Sequence, residues 1–286
     1  MWPGLKGNWM QSQSSISEIH SENYRFLQQH VYAQAGIVLE EDKHYLFESR
    51  LTPIVRQLGL GSINDLCALL QATCETDVGR QVVEAMTTNE TYFFRDPAHY
   101  EAIRTVLLPR LKEDRQDVRK LRFWSAAAST GQEAYSLAMV LLAEGFNDWD
   151  IQILGTDFSS QVLERARSGK YQQIEVNRGL PAALLVKHFR RSGVDWQLSE
   201  PVRRMVRFET IDLRASMRAL GPFDLVFCRN VLIYFDAETK KNIMKELHGT
   251  LFRGGWLLLG GAETAFGAEE WFERQTVGGA IVYVAR

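Results

Sequence analysis

Apolar residues follow two different rhythms along this chain. Between residues 21 and 80 they recur at mixed three- and four-residue spacing, which predicts helices only. Tyr24, Phe26, Leu27, Val31 and Tyr32 suit one apolar face; Tyr45, Leu46, Leu51, Ile54, Val55 and Leu58 suit a second, ended near Gly59 and Gly61. Ser62 is placed to cap a third helix over residues 63–70. Residues 97–111 are again helical by pattern. From residue 121 the rhythm changes to short apolar runs, at 121–124, 151–154, 208–211, 223–228, 256–260 and 280–284, with helical stretches at 133–142, 162–167 and 238–251. Strands alternating with helices predict a largely parallel α/β sheet that binds ligands at its strand C-termini. The last two strands are joined by a loop-rich stretch and are expected to form an antiparallel edge. Residues 170–208 break the alternation, with turn signals at Asn177-Arg178-Gly179 and Ser192-Gly193 and a strand-like stretch near 205–208, and read as an insertion packed on the main sheet. The expected organisation is a helical domain over residues 15–85, a connecting segment over 86–96, and an α/β domain over 97–286 with its insertion at about 170–208.

The chemistry concentrates in residues 121–157. A strand ends in Ser125-Ala126-Ala127-Ala128-Ser129-Thr130-Gly131, where small side chains let the backbone approach a ligand. A helix starts at Glu133 and stops near Gly145; the next strand closes on Gly155-Thr156-Asp157. An acid at a strand's C-terminal end beside a small-residue turn is how doubly wound folds hold a ribose through its hydroxyls, so the inference is a nucleoside pocket. The turn lacks a Gly-x-Gly-x-x-Gly pattern, which disfavours a nicotinamide dinucleotide. Residues 87–96 (TTNETYFFRD) set three aromatics against Thr, Asn and Arg. They read either as a packed interdomain segment or as a lid whose aromatics exclude water from the pocket.

Composition narrows the class. The chain has 286 residues, 45% of them apolar, and a net charge of -2, which argues against bulk affinity for nucleic acid. Three cysteines, Cys67, Cys74 and Cys228, give neither a disulfide framework nor a zinc site. The first fifteen residues contain no continuous apolar core, and no run approaches the ~18 apolar residues of a membrane span. The expected location is the cytoplasm. The insertion is basic, with Arg178, Lys187, His188, Arg190, Arg191, Arg203, Arg204 and Arg207 against few acids. That suits solubility or electrostatic steering of an acidic partner. Arg50 and Arg56, on the second helix, admit the same two readings.

Three long motifs taken together resemble the CheR chemotaxis receptor methyltransferases: residues 87–96, residues 124–137 (WSAAASTGQEAYSL) and residues 227–236 (FCRNVLIYFD). Gly155-Thr156-Asp157, Asp212-Leu213 and Arg253-Gly254-Gly255 agree in place and order, and the resemblance runs from about residue 21 to the end. It implies a Rossmann-like S-adenosylmethionine methyltransferase sheet with an N-terminal all-helical domain and a small inserted β subdomain. The implied activity is methyl transfer to glutamate side chains on the cytoplasmic helices of methyl-accepting chemoreceptors, a protein-glutamate O-methylation that yields S-adenosylhomocysteine. Carried over residue by residue, it implies cofactor contacts at Asn89, Thr91, Arg95, Glu133, Asp157, Asp212, Leu213, Asn230 and Val231, with Arg95 and Tyr234 nearest the reacting centre. No metal, nucleic acid or membrane insertion is implied, and a monomer is the default. Gln132 and Ala134 stand where the family often has Glu and Pro, and Asp212 where Asn is common. The turn of the insertion, within residues 189–208, is shorter than in members that grip a receptor's C-terminal pentapeptide, which implies direct docking on the receptor helices.

A glutamate carboxylate is ionised at neutral pH, its reference pKa being ~4.3, so the reaction requires no general base. The site must supply alignment, worth roughly 7–11 kcal/mol, and strip water from the nucleophile. A guanidinium or a phenol can do both, which gives Arg95 and Tyr234 their expected roles. Attack neutralises a carboxylate against a sulfonium, so Arg95 is expected mainly to position. Two alternatives stay open on the residues alone: the same fold acting on another acceptor, and a cofactor-binding regulatory module without turnover.

Overall fold

The computed structural model describes residues 19–40, 43–72, 76–265 and 267–286. The chain divides into two compact units, one of Met1–Gln34 with Leu39–Met86 and one of Ala35–Val38 with Thr87–Arg286. Cys74 and the residues before 15 lie outside the described residues.

The smaller unit is built from α1 (Ser21–Ala35), α2 (His44–Gln57), α3 (Ile63–Ala72) and α4 (Thr76–Met86). Tyr24, Leu27 and Val31 complete the buried stripe of α1, and Phe47, Leu51, Ile54 and Val55 that of α2. Tyr32 and Tyr45, expected on those faces, are 48% and 60% exposed, since each sits about one residue's rotation off its stripe. Ser62 caps α3 by accepting from the Asp65 amide at 3.1 Å. Arg50 donates to the Met86 carbonyl at 2.7 Å, at the end of α4, whereas Arg56 is exposed. Arg50 therefore has a structural role within the helical unit, and Arg56 stands on its surface.

The larger unit opens with α5 (Pro97–Ala102), which passes through a π-helical turn (Ile103–Leu107) into α6 (Leu108–Asp114). Then follow β1 (Lys120–Ala126), α7 (Gln132–Ala143), β2 (Asp150–Asp157) and α8 (Ser160–Ser168). The inserted segment comprises β3 (Lys170–Tyr171), α9 (Gln173–Val176), α10 (Ala182–His188), β4 (Phe189–Ser192), β5 (Asp195–Leu198) and α11 (Glu200–Arg203). It makes its own antiparallel sheet in the order β3-β5-β4. The main sheet resumes with β6 (Val206–Thr210), β7 (Phe223–Cys228), α12 (Ala237–Gly249), β8 (Leu251–Leu259), β9 (Phe272–Val277) and β10 (Ala280–Ala285). The strand-like stretches at 205–208 and 208–211 are thus a single strand of the main sheet, hydrogen-bonded to β2.

The seven main strands run in the order β6-β2-β1-β7-β8-β10-β9, parallel from β6 through β8 and antiparallel at β10 and β9. The expected antiparallel edge is present, and it includes β9, which reads as loop in the sequence. Arg253-Gly254-Gly255 lies inside β8, where the register against β7 slips between Phe223 and Leu225; it bulges the strand and does not precede it. Successive residues of β1 supply opposite faces of the sheet. Phe123 joins a core with Tyr135, Leu137 and Leu141, and Trp124 joins the other with Met217, Ile243 and Leu247. β7 is buried along its whole length, so Asp224 within it needs compensation: Arg115 pairs with it at 2.9 Å and the Arg122 amide donates to it at 2.8 Å. Burial still outweighs these contacts and raises the Asp224 pKa. After β1 the chain moves outward through β2 and β6, then returns to the far side of β1 as β7. The crevice at the C-terminal ends of β1 and β7 is therefore a topological switch point, where open α/β sheets hold ligands.

Candidate active site

The small-residue run after β1 folds tightly. Ala127, Ser129 and Gly131 have φ of 72°, 51° and 92°. Gly131 also lacks room for a side chain, since a Cβ there would lie 3.0–3.1 Å from Ala166, Phe208 and Tyr135. Gly155 on β2 meets the same constraint, with a Cβ position 2.5 Å from the Phe208 ring. Ala128 donates to the Thr156 carbonyl at 2.7 Å, tying the turn to β2. Asp157, at the end of β2, accepts from the Ser129 amide at 2.9 Å and the Ser159 amide at 3.0 Å. The carboxylate is thereby held at the switch point by the loops on both sides of it.

Residues 87–96 pass over this end of the sheet and divide by side. Phe93 is fully buried and packs edge-on against Tyr171 and Phe189 of the inserted segment at 5.0 and 5.7 Å. Phe94 packs on Tyr100 at 5.0 Å, and Tyr92 lies under the Arg178 guanidinium at 4.4 Å. The aromatics do not line the cavity. The polar residues do: Thr87, Thr88, Asn89, Glu90, Thr91 and Arg95 all face it. The two sequence readings of this segment, packed and lid-like, therefore each describe a different subset of its side chains, and the aromatics belong to the packed one.

The cavity encloses about 940 Å³ of empty space, its open mouth included. All ten residues expected at the site line it: Asn89, Thr91, Arg95, Glu133, Asp157, Asp212, Leu213, Asn230, Val231 and Tyr234. Asp212 differs from expectation in one respect, because Arg214 clasps its carboxylate through Nε at 3.0 Å and a terminal nitrogen at 2.6 Å. Arg95 donates to the Glu90 carbonyl at 3.0 Å and has no carboxylate partner among the described residues. Glu90 itself pairs with Arg178 at 2.6 Å; the hydrogen bond and charge of Arg178 hold its carboxyl below the ordinary value.

Two residues that sequence reasoning passed over organise the floor and one wall. Arg229, directly after β7, is buried. It pairs with Glu133 at 2.8 Å and with Asp96, and it donates to the Arg95 carbonyl at 2.8 Å. Glu133 also accepts from the Ser125 hydroxyl at 2.6 Å. Burial opposes the Arg229 charge, but Glu133, Tyr100 and Asp96 more than offset it and raise its pKa. His99, next to this cluster, is held neutral by burial first and by Arg229 second, its pKa pushed down to about 4. Glu263 accepts from the amides of Asn230, Val231, Leu232 and Gly260 at 2.6–2.9 Å. A charged residue ending an apolar strand was the available signal for Arg229. Glu263 gave none, because all its partners are main chain.

The arrangement suits a nucleoside-bearing cofactor on observations internal to this chain. Asp157 presents a fixed acceptor at the switch point. Asn230, with φ of 57°, carries a buried Oδ1 that has no hydrogen-bond partner among the described residues, an acceptor suited to an amino donor from a ligand. The turn after β1 keeps side chains out of a ligand's way.

Comparison with known proteins gives the same direction. Residues 89–279 match the family described as CheR methyltransferase, SAM binding domain, and residues 22–87 match CheR methyltransferase, all-alpha domain. The chain is 38% identical over 259 residues to chemotaxis protein methyltransferase Cher2 of Pseudomonas putida, covering 88% of this chain and 93% of that one. It is 36% identical over 270 residues to the chemotaxis protein methyltransferase of Vibrio parahaemolyticus, covering 93% and 97%. Among solved structures, magnesium protoporphyrin IX methyltransferase of Synechocystis, with bound SAM, is similar at a TM-score of 0.35 and 16% identity, over 66% of this chain and 78% of that one.

Proposed function

The chain belongs to the CheR methyltransferase family, with S-adenosylmethionine as its cofactor. From that premise we propose that it methylates glutamate side chains on the cytoplasmic helices of chemoreceptors, and that it docks on those helices directly. The observation that carries the proposal is the convergence of ten residues, drawn from five separate stretches of chain, on one cavity at the switch point of the sheet.

When bound, the cofactor supplies the methyl group on a positively charged sulfonium. The chain's own residues do the rest by position. Asp157, fixed by two amides, takes ribose hydroxyls. Asn89, Thr91, Leu213, Asn230 and Val231 contribute the remaining walls of the pocket. The charge of Glu133 is already matched by Arg229, so Glu133 holds hydrogen-bond donors without repelling an anionic acceptor. Arg95 lines the cavity with a guanidinium that forms no salt bridge among the described residues, a suitable partner for a glutamate entering from outside. Tyr234, on the facing loop, adds a hydroxyl with no hydrogen-bond partner among the described residues. Together they orient the acceptor carboxylate and replace the water it sheds. The acceptor needs no deprotonation at neutral pH, in keeping with a site that offers alignment and no general base.

Direct docking is supported by the inserted sheet. Its β4–β5 hairpin closes in two residues, Gly193 and Val194, with Ser192 opposite Asp195. Arg190 and Arg191, both exposed on the same hairpin, bring positive charge to it that suits an acidic helix. The test is methyl transfer from labelled S-adenosylmethionine to a receptor cytoplasmic fragment without its C-terminal five residues. Label that is released by alkali, as an ester must be, and that disappears when the acceptor glutamates are changed to alanine is the expected result. Alkali-stable label would show another acceptor. A protein that binds the cofactor but transfers nothing to any receptor fragment would be a regulatory module.

A further inference from the structure

Glu263 lies outside the cavity yet controls its wall, and the geometry points to a positioning residue: we propose that its buried carboxylate sets the Asn230–Tyr234 loop in the conformation that binds S-adenosylmethionine. The inference rests on the reading of the cavity as the cofactor site and assigns a residue that none of the three motifs contains.

The hydrogen bonds are divided evenly. Oε1 accepts from the Val231 amide at 2.9 Å and the Leu232 amide at 2.8 Å. Oε2 accepts from the Asn230 amide at 2.6 Å and the Gly260 amide at 2.8 Å. One carboxylate thus ties the loop after β7 to the end of β8. Glu263 is 9% exposed, and no Lys or Arg pairs with it among the described residues, so its charge is balanced by main-chain dipoles alone. Charge-assisted bonds of this kind are about twice as strong as neutral ones. They are set against a real local cost, because Asn230 holds a left-handed backbone with φ of 57°. The same conformation directs Asn230 to the cavity. Its neighbour on the other side is fixed too: a Cβ at Gly260 would lie 2.6 Å from Asn230 Nδ2 and 2.7 Å from Glu263 Oε2. Tyr234, further along, has supports of its own, donating to the Val231 carbonyl at 3.2 Å and accepting from the Val38 amide at 2.8 Å. Loss of Glu263 is therefore felt first at Asn230 and Val231.

Glu263→Gln keeps the shape and replaces one acceptor oxygen by an amide NH2 that faces two N–H donors. The expected result is a Kd for S-adenosylhomocysteine, measured by calorimetry, that rises at least tenfold. KM for S-adenosylmethionine rises in parallel, and kcat at saturation stays within about threefold. A purely architectural Glu263 would lower the melting temperature and leave Kd and KM of the folded protein unchanged. Gly260→Ala is the second variant, since it presses on the same contacts while keeping the charge; it is expected to raise Kd at least fivefold, and it decides the matter if Glu263→Gln does not fold. A wild-type protein that binds the ligand, with the folded variants binding equally well, overturns this inference alone. A wild-type protein that binds neither ligand overturns the cofactor site and this inference with it.

Discussion

Replacing Arg229 with methionine should leave Glu133 as a carboxylate buried without its cation. The Arg229 side chain is 2% exposed and that of Glu133 11%. After the substitution Glu133 keeps the Ser125 hydroxyl but loses its only guanidinium among the described residues. Asp96 is the lesser loss, because its side chain is 38% exposed and water can serve it. Breaking a buried pair from one side costs about 3–5 kcal/mol, so Arg229→Met should lose about 4 kcal/mol at pH 7, a large share of a domain's stability. Adding Glu133→Gln removes the stranded charge and should recover more than half of the loss. The assay is urea unfolding followed by circular dichroism and tryptophan fluorescence, with the four proteins read as a double-mutant cycle. A loss below 1 kcal/mol at pH 7, or strictly additive effects, would refute the account of the Arg229 cluster.

Other tests follow from the same geometry. His99 has a folded pKa pushed down to about 4, below the ordinary 6.5, so its contribution to stability is full above pH 6.5 and is lost as pH falls toward 4. The shift corresponds to roughly 3 kcal/mol, and His99→Gln should flatten that part of the urea-stability profile; an unchanged slope would count against it. Gly179 has φ of 80° and a Cβ position only 2.0 Å from the Phe93 carbonyl oxygen, so Gly179→Ala should cost about 3 kcal/mol or more. A variant with wild-type urea midpoint would show that this close approach is not required. Cys67 and Cys228 are fully buried, and burial pushes the Cys67 thiol up to about 12 and the Cys228 thiol well above its ordinary value. Neither should alkylate with iodoacetamide at pH 8 while the protein is folded, as peptide mapping by mass spectrometry would show.

The elements that read most clearly from sequence were those whose signal is local. β1, α7 and β2 carry apolar periodicity and turn residues within one stretch, and Asp157 read from the strand end beside a small-residue turn; the other site residues were implied by the resemblance of the three motifs. What the sequence hid depended on pairing at a distance. Arg229 finds Glu133 only because β7 lies beside β1, an outcome of topology that no window of sequence contains. β9 is an edge strand with one neighbour and an exposed face, so its alternation is weak. Its clearest mark was Gly278-Gly279, both with positive φ, a two-residue hairpin turn that strand reading alone passed over. Gly254-Gly255 lie inside β8, which begins before the apolar run at 256–260 that marks it in the sequence, since glycines inside a strand mark a bulge as well as an end.

Ala35–Val38 belong with the larger unit although the chain on both sides of them belongs to the smaller. Ala35 and Ile37 line the cavity, and Gly36, with φ of 71°, sits so close to Arg214 that a Cβ would lie 2.7 Å from its Cδ. The catalytic half of this protein is thus not a contiguous stretch of gene. A fragment begun at Thr87 removes part of the pocket wall along with the helices, so its loss of activity would not show that the helical unit takes part in the reaction. Recombination between relatives at the 86/87 boundary would likewise join one parent's four-residue wall to the other's pocket, and these residues would have to travel with the catalytic half.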